Sequence, residues 1–416
     1  RIRRSAPTPV RVRRYQVAVL VLSVLLGVVI AASLALSNRG PAPDTVQTDR
    51  LLYDGDIQRA ETAVDTGVLD KARTVLAATP EEYRQWEWGR LQYEVNLDAK
   101  TLRSHNGFVL SASFDPTGAY AVSGGTNELV RIWNVEAGWE MGQFKSIAAT
   151  RRVVYSPDGR YVLAYGLEYP SFDVWDTKEQ RLFTRITLPS RGGTDAAFAP
   201  SGDYVVAGSF DGNTYVYAFP SGNLLHTLTG NGERVRAVAV HPQSDRIATG
   251  HGDGTVFLWD SVTGNELGHY RAHEAFVTSL VFTRDGTGLI SASADTTARV
   301  WDVNSFEERV RMTGHNAVVW QVAVAHDGLR AATASRDSTV LVWDIRTGEI
   351  LNILRGHGGE ANSVDFSPDD SRLLTAGDDG TLRLWALDQP AQEYLTLQAG
   401  AGPVRVLAFN PKNGFL

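Results

Sequence analysis

Cysteine is absent from the 416 residues. Disulfides, thiolate catalysis and cysteine-ligated zinc are therefore excluded, and the redox compartment stays open, because a chain without thiols tolerates either setting. No segment matches a G-x-x-x-x-G-K-[ST] phosphate loop, an H-E-x-x-H zinc helix, an EF-hand spacing or a G-x-S-x-G elbow, and kinase signatures are missing as well. We therefore expect no cofactor, no metal and no catalytic residue in this sequence. Charged residues make up only 21% against 43% hydrophobic, a balance that can bury a large core and that excludes wholesale disorder. Basic excess is lacking too: the net charge is −7, and residues 1–14 hold six arginines and no acid, so the remainder is more acidic than the whole. A nucleic-acid partner, which needs a basic face, is not expected.

What the sequence does contain starts with an apolar run. From Tyr15 to Asn38 there is no charged residue, and Val17–Leu36 is mostly Val, Leu, Ile and Ala. A helix of that length, at about 1.5 Å per residue, crosses the roughly 30 Å hydrocarbon core. A cleaved signal peptide, with Ser33-Leu34-Ala35 as its site, is the competing reading, but signal cores run only about 7–15 residues. Arg1, Arg3, Arg4, Arg11, Arg13 and Arg14 precede the span, whereas Arg39 and Arg50 meet Asp44, Asp49, Asp54 and Asp56 after it. The positive-inside bias puts the N-terminal flank in the cytoplasm and the rest outside, which makes the chain a single-pass membrane protein. The first residue is Arg1 and the last motif breaks off at Leu416, so we expect a piece of a longer chain.

Beyond the span, Leu51, Leu52, Ile57, Ala60, Ala63 and Val64 recur at helical spacing, Gly67 suits a C-cap, and Leu69, Ala72, Val75 and Leu76 mark a second helix. Pro80 opens a third, with Tyr83, Trp86, Leu91 and Tyr93 as its stripe. These helices resemble a single tetratricopeptide-type unit. One isolated repeat rarely forms a groove, so a packing collar is expected.

The strongest pattern is a comb. Trp133, Trp175, Tyr217, Trp259, Trp301, Trp343 and Trp385 follow one another every 42 residues. Asp or Asn follows five of these aromatics, as in Trp301-Asp302 and Trp343-Asp344, and His105, His273, His315 and His357 stand 28 residues before theirs. Ile147, Pro189 and Asn231 take that place in units two to four. Short alternating stretches such as Val277–Phe282 lie between turn signals such as Ser156-Pro-Asp-Gly. Four short strands within a period of about 40–45 residues read as propeller blades, which bury their faces by stacking around an axis.

In its period, its Trp-Asp ends and its Gly314-His315 and Gly356-His357 starts, the sequence from about Lys100 to Leu416 resembles the WD-repeat family. The resemblance implies a mainly β, seven-bladed or eight-bladed propeller, which the transmembrane helix and the helical neck precede. The chain then divides into a basic flank (1–14), a transmembrane helix (15–38), a linker and neck (39–99), seven units (100–396) and the start of an eighth (397–416). Family closure implies that a strand near Thr101–Arg103 completes the last blade. The family's buried relay implies two quartets, His273, Ser293, Asp295 and Trp301 in unit five and His315, Ser335, Asp337 and Trp343 in unit six. Such sets imitate a hydrolase triad on paper, but a triad does not recur every 42 residues beneath a tryptophan. Asn127 and Tyr169 replace the turn aspartate in units one and two and Tyr217 replaces a tryptophan, so softer blades are expected there.

The family also implies a binding face at the starts of the innermost strands. Phe210, Arg234, Arg236, Phe276, Trp320 and Arg336 are the residues expected to stand exposed on it, since aromatics and arginine dominate interface energetics. The order of basic flank, span, neck with Arg84-Gln-Trp-Glu-Trp and repeats resembles the C-terminal half of bacterial membrane-anchored serine/threonine protein kinases. That layout implies an outer sensory propeller for a protein or envelope ligand. A passive scaffold and, less well supported, a channel-centred enzyme are the alternatives.

Overall fold

A computed structural model describes residues 45–65, 69–79 and 98–387, apart from 104, 147, 167–168, 190–191 and 244. The proposed membrane span, the third neck helix and the start of an eighth unit lie outside the described residues. Two helices come first, α1 (Thr45–Asp65) and α2 (Leu69–Ala78). Tyr53, Ile57, Ala60 and Ala63 of α1 bury themselves against Ala72 and Leu76 of α2, the i, i+3, i+4, i+7 pattern of a helical seam. Among the described residues no helix is long and apolar enough to cross a membrane.

Residues 98–386 form seven four-stranded antiparallel sheets. Six are simple meanders, spanning 109–145, 150–187, 193–229, 235–271, 277–313 and 319–355, which we number blades 1 to 6. Blade 7 takes three strands from 361–386 and its outermost from Asp98–Arg103, with Leu102 opposite Leu382. Among the described residues the first strand thus completes the last blade and closes the ring. The innermost strand of blade 1 contacts those of blades 2 and 7, and neighbouring blades pack likewise all round.

Each innermost strand turns one edge toward the axis without a strand partner, and in blades 1, 2, 4, 6 and 7 a polar side chain of a neighbouring blade caps an amide on that edge. Ser111 accepts from the Val153 amide, Asp195 from Val238, Ser279 from Val322, Gln321 from Val364 and Ser363 from Ala112, at 3.0–3.3 Å. Buried amides with no partner would otherwise cost about 1–3 kcal/mol each. Between the sheets lie alternating layers of Val, Leu, Ala and the comb's aromatics; Trp133, Trp343 and Trp385 are among the largest fully buried side chains.

The second residue of every innermost strand forms a β-bulge, since pairing shifts at Val109/Ser111, Thr150/Arg152, Gly193/Asp195, Val235/Ala237, Val277/Ser279, Val319/Gln321 and Ala361/Ser363. A bulge leaves one residue unpaired and re-aims its side chain. Here it does so seven times around one end of the channel.

Candidate functional site

The buried quartets come first, because they decide whether the Ser, His and Asp residues are chemistry or carpentry. In blade 5, Asp295 accepts from His273 Nδ1 at 2.8 Å, the Ser291 hydroxyl meets His273 Nε2 at 2.6 Å, and Trp301 Nε1 donates to Ser291 Oγ at 2.8 Å. In blade 6 the chain runs Asp337, His315, Thr333 and Trp343 at 2.9, 2.7 and 2.8 Å. Ser293 and Ser335 are not in the relay, contrary to the expectation from sequence. Residues two apart share a face of a strand, so sequence alone does not choose between Ser291 and Ser293. The indole reaches the hydroxyl ten residues before it. Ser293 instead sits at the strand end, accepting from the Asp295 amide and donating to the Phe276 carbonyl, and Ser335 likewise caps Asp337 and donates to Ala317.

Burial pushes Asp295 and Asp337 upward, but hydrogen bonds from the histidine and from Thr297 or Thr339 hold both well below the usual carboxylate range. Each carboxylate is a fixed acceptor that sets the imidazole tautomer. The hydroxyl, fully buried at Ser291 and Thr333, is bonded to both imidazole and indole. These quartets are ties that satisfy four buried polar groups at once.

The other blades vary the tie. Blade 7 repeats it with His357, Asp379, Thr375 and Trp385. Blade 1 keeps it with the Asn127 amide oxygen in place of a carboxylate, 3.0 Å from His105 Nδ1. Blade 4 has Asn231 in the usual histidine place and recruits His251 from the adjoining strand; its Nε2 lies 3.0 Å from Thr249 Oγ1, which also accepts from Trp259. Blade 2 has no tie. Tyr165 stands where the hydroxyl belongs, and the Trp175 indole N–H is buried with no partner. The Tyr165 ring runs into space that a Cβ at Gly193 would occupy, within 0.9 Å of its hydroxyl, so blade 3 begins with glycine. Gly254 answers a similar need in the Gly250-His-Gly-Asp-Gly turn: its φ is +89°, and a Cβ would lie 2.2 Å from the His273 carbonyl.

The chemistry open to solvent lies at the bulged end of the channel. Leu110, Arg151, Thr194, Arg236, Thr278, Trp320 and Asn362, the seven bulge residues, line one cavity of about 250 Å³. The six residues expected from sequence fall into three contacts between neighbouring blades at this mouth. The Arg234 guanidinium lies 3.4 Å above the Phe210 ring, and that of Arg236 lies 3.9 Å above Phe276. Trp320 Nε1 donates to Glu360 at 2.8 Å, and Arg336 pairs with the other Glu360 oxygen at 2.9 Å. All but Arg336 are half-buried by this packing, which corrects the expectation of six free side chains. Cation–π stacking holds each arginine flat, so less side-chain entropy is lost when a ligand arrives.

Sequence reasoning missed Arg151, Glu360, Asn362 and Asp195. The signal was present for two of them: Asn362 stands 42 residues after Trp320, and Glu360 stands 84 after Phe276. Arg151 was hidden because blade 2 begins 41 residues after blade 1 and blade 3 begins 43 after blade 2.

Comparison with known proteins agrees with this architecture. The chain is 26% identical over 159 residues to a periodic tryptophan protein 2 homolog of Caenorhabditis elegans, covering 38% of this chain and 17% of that protein. It is 26% identical over 147 residues to eukaryotic translation initiation factor 3 subunit I of Scheffersomyces stipitis, and 28% identical over 145 residues to that of Meyerozyma guilliermondii, in each case 32% of this chain and 42% of the relative. It therefore spans less than half the length of these relatives. The family described as WD domain, G-beta repeat, matches residues 98–134, 191–217, 222–260, 264–302, 306–344 and 348–386. The longest stretch between matches, 135–190, contains blade 2; blade 3, which also lacks the tie because Pro189, Ala207 and Tyr217 stand where the histidine, hydroxyl and tryptophan belong, is matched over 191–217. With more than half its length matched, and with the ring those matches require, the chain belongs to the WD40 family.

Proposed function

We propose that this propeller is a non-catalytic protein-interaction module whose binding face is the bulged mouth of the channel. The observation that carries the reading is the presence at this end of the ring of two arginine-on-phenylalanine stacks and the Trp320–Glu360–Arg336 contact, of which Arg236, Trp320 and Glu360 line the 250 Å³ cavity. Rigid aromatic and arginine anchors beside a cavity are what interface hot spots are made of. The relatives support it only by class, since translation initiation factor 3 subunit I is by name one subunit of an assembly. We extend the proposal to the whole chain: residues 15–38 anchor it, the propeller stands outside the membrane, and the whole is the sensory part of a serine/threonine kinase whose catalytic domain lies elsewhere. The uncharged run after six arginines and the order of segments support that extension.

The test uses a photo-crosslinking amino acid in the full chain, placed at Trp320 or at Val262. By the up-and-down strand order, Val262 lies in a turn at the opposite end of the ring. Discrete adducts from position 320 and none from 262 are expected. Equal labelling from both ends would overturn the assignment of the face. Cysteines introduced at positions 5 and 262 of this thiol-free chain test the anchor, since an impermeant maleimide applied to intact cells should label only the second.

A further inference from the structure

The mouth is electrically lopsided. Blades 2 and 4 each place an arginine at the bulge, Arg151 and Arg236, on either side of Thr194 of blade 3. Arg152 follows one position deeper. Asp195 is the one carboxylate that lines the cavity on this arc, and it is already engaged, accepting from the Val238 amide at 3.0 Å and pairing with Arg152 at 3.4 Å. Arg152 Nε is the buried atom of that ion pair, too poorly aligned on Asp195 to make a hydrogen bond. Among the described residues Arg151 forms no hydrogen bond or ion pair, and Arg236 is held only by the ring of Phe276. Burial pushes the Arg151 guanidinium below its ordinary value, Asp195 pulls it back and Arg152 pushes it further down; burial and then Arg151 do the same to Arg236. The charge of Arg151 is thus felt at Arg236, on the other side of Thr194.

Half-buried guanidinium groups whose one nearby carboxylate, Asp195, is already engaged elsewhere are a costly arrangement in an empty site, and planar forks match a carboxylate in bidentate fashion. On the far side Glu360 is held by Trp320 and Arg336, and Asn362 donates to Asp378 at 2.7 Å, so that wall offers an aromatic face and engaged acids. We infer that the arc between Arg151 and Arg236 binds a carboxylate side chain of an acidic peptide, whose neighbouring residues lie toward Trp320. This deepens, and rests on, the reading of the mouth as the binding face. The cavity has room for one such side chain and its stem.

The experiment is calorimetric titration of the full chain with N-acetylated, C-amidated hexaglutamate at fixed ionic strength. Hexalysine and inorganic phosphate are the comparison ligands. Arg151→Gln and Arg236→Gln should each weaken hexaglutamate roughly tenfold or more, the loss of one charge-assisted pair. Arg346→Gln, which removes the same charge from a turn at the other end, should change affinity less than about twofold. Without peptide, Arg151→Gln should melt no lower than the parent, because it relieves burial and repulsion that the already engaged Asp195 offsets only in part. Equal weakening by Arg346→Gln, full displacement by phosphate at equal charge, or a melting point several degrees lower in Arg151→Gln would each overturn the inference. If adducts still form from position 320 in Arg151→Gln at undiminished yield, the carboxylate site falls and the binding face stands. If position 320 gives no adducts in the parent, the face itself falls.

Discussion

Ser291→Ala and Ser293→Ala delete the same hydroxyl from the same strand, two residues apart, and the structure assigns them different costs. Removing the Ser291 hydroxyl strips the Trp301 indole N–H of its acceptor and leaves His273 Nε2 facing a methyl group. Both groups are buried, and a buried polar group with no partner costs about 1–3 kcal/mol. Because one hydroxyl serves both, the losses do not simply add, and about 3 kcal/mol is expected. Removing the Ser293 hydroxyl costs less. The Phe276 carbonyl keeps the Ala294 amide at 3.1 Å, so only the Asp295 amide is stranded, for about 1 kcal/mol. Urea unfolding of the full chain, followed by tryptophan fluorescence, should show the gap of about 2 kcal/mol as a difference in midpoint at constant m. In a Trp301→Phe background the cost of Ser291→Ala should shrink, because the donor that needed the hydroxyl has gone. Equal costs, or a larger cost for Ser293→Ala, would refute the assignment of the relay.

Further outcomes follow from the same geometry. Gly193→Val should be severely destabilising, because its side chain would occupy the Tyr165 hydroxyl's position, and adding Tyr165→Ser should restore much of the loss while giving Trp175 an acceptor; soluble yield and melting point read both. Trp175→Phe should cost about 1 kcal/mol less than Trp343→Phe, since the Trp175 N–H has no partner to lose whereas that of Trp343 bonds Thr333. Stability should fall in two steps on acidification. Burial holds the His105 and His251 pKa values below 6.5, so the unfolded chain binds more protons there and stability is lost as pH drops below about 6.5. Asp295, Asp337 and Asp379 are depressed despite burial, so their contribution is full above the usual carboxylate range and is lost as pH falls below about 4. Melting curves from pH 8 to 3 check both steps, and His251→Gln should reduce the first.

The propeller was legible because a 42-residue comb is a long-range signal that no local propensity imitates, although the comb left seven and eight blades open and the closing strand came only from the family resemblance. The relay histidines, aspartates and tryptophans stand on the comb, and the family resemblance is what implied their role. Ser291 was not, because period-2 alternation puts two serines on one face and only the reach of the indole separates them. His251 was not, because blade 4 takes its imidazole from another strand after losing it at Asn231. The mouth was half legible. Phe276, Arg236 and Trp320 lie on the comb, but the one-residue drift into blade 2 concealed Arg151, and the stacking that half-buries the arginines depends on blade-to-blade distances that spacing does not encode.

Everything above depends on the ring being shut by Asp98–Arg103 against the strand of Leu382. The chain has no cysteine, so Leu102→Cys with Leu382→Cys introduces a single pair, at positions that face each other across that closure. Oxidation with copper phenanthroline should give one intramolecular disulfide, seen as a faster band on a non-reducing gel and as a melting point raised above the reduced form. Free thiols after oxidation, or disulfides only between molecules, would contradict the closed seven-bladed ring on which the binding face is built.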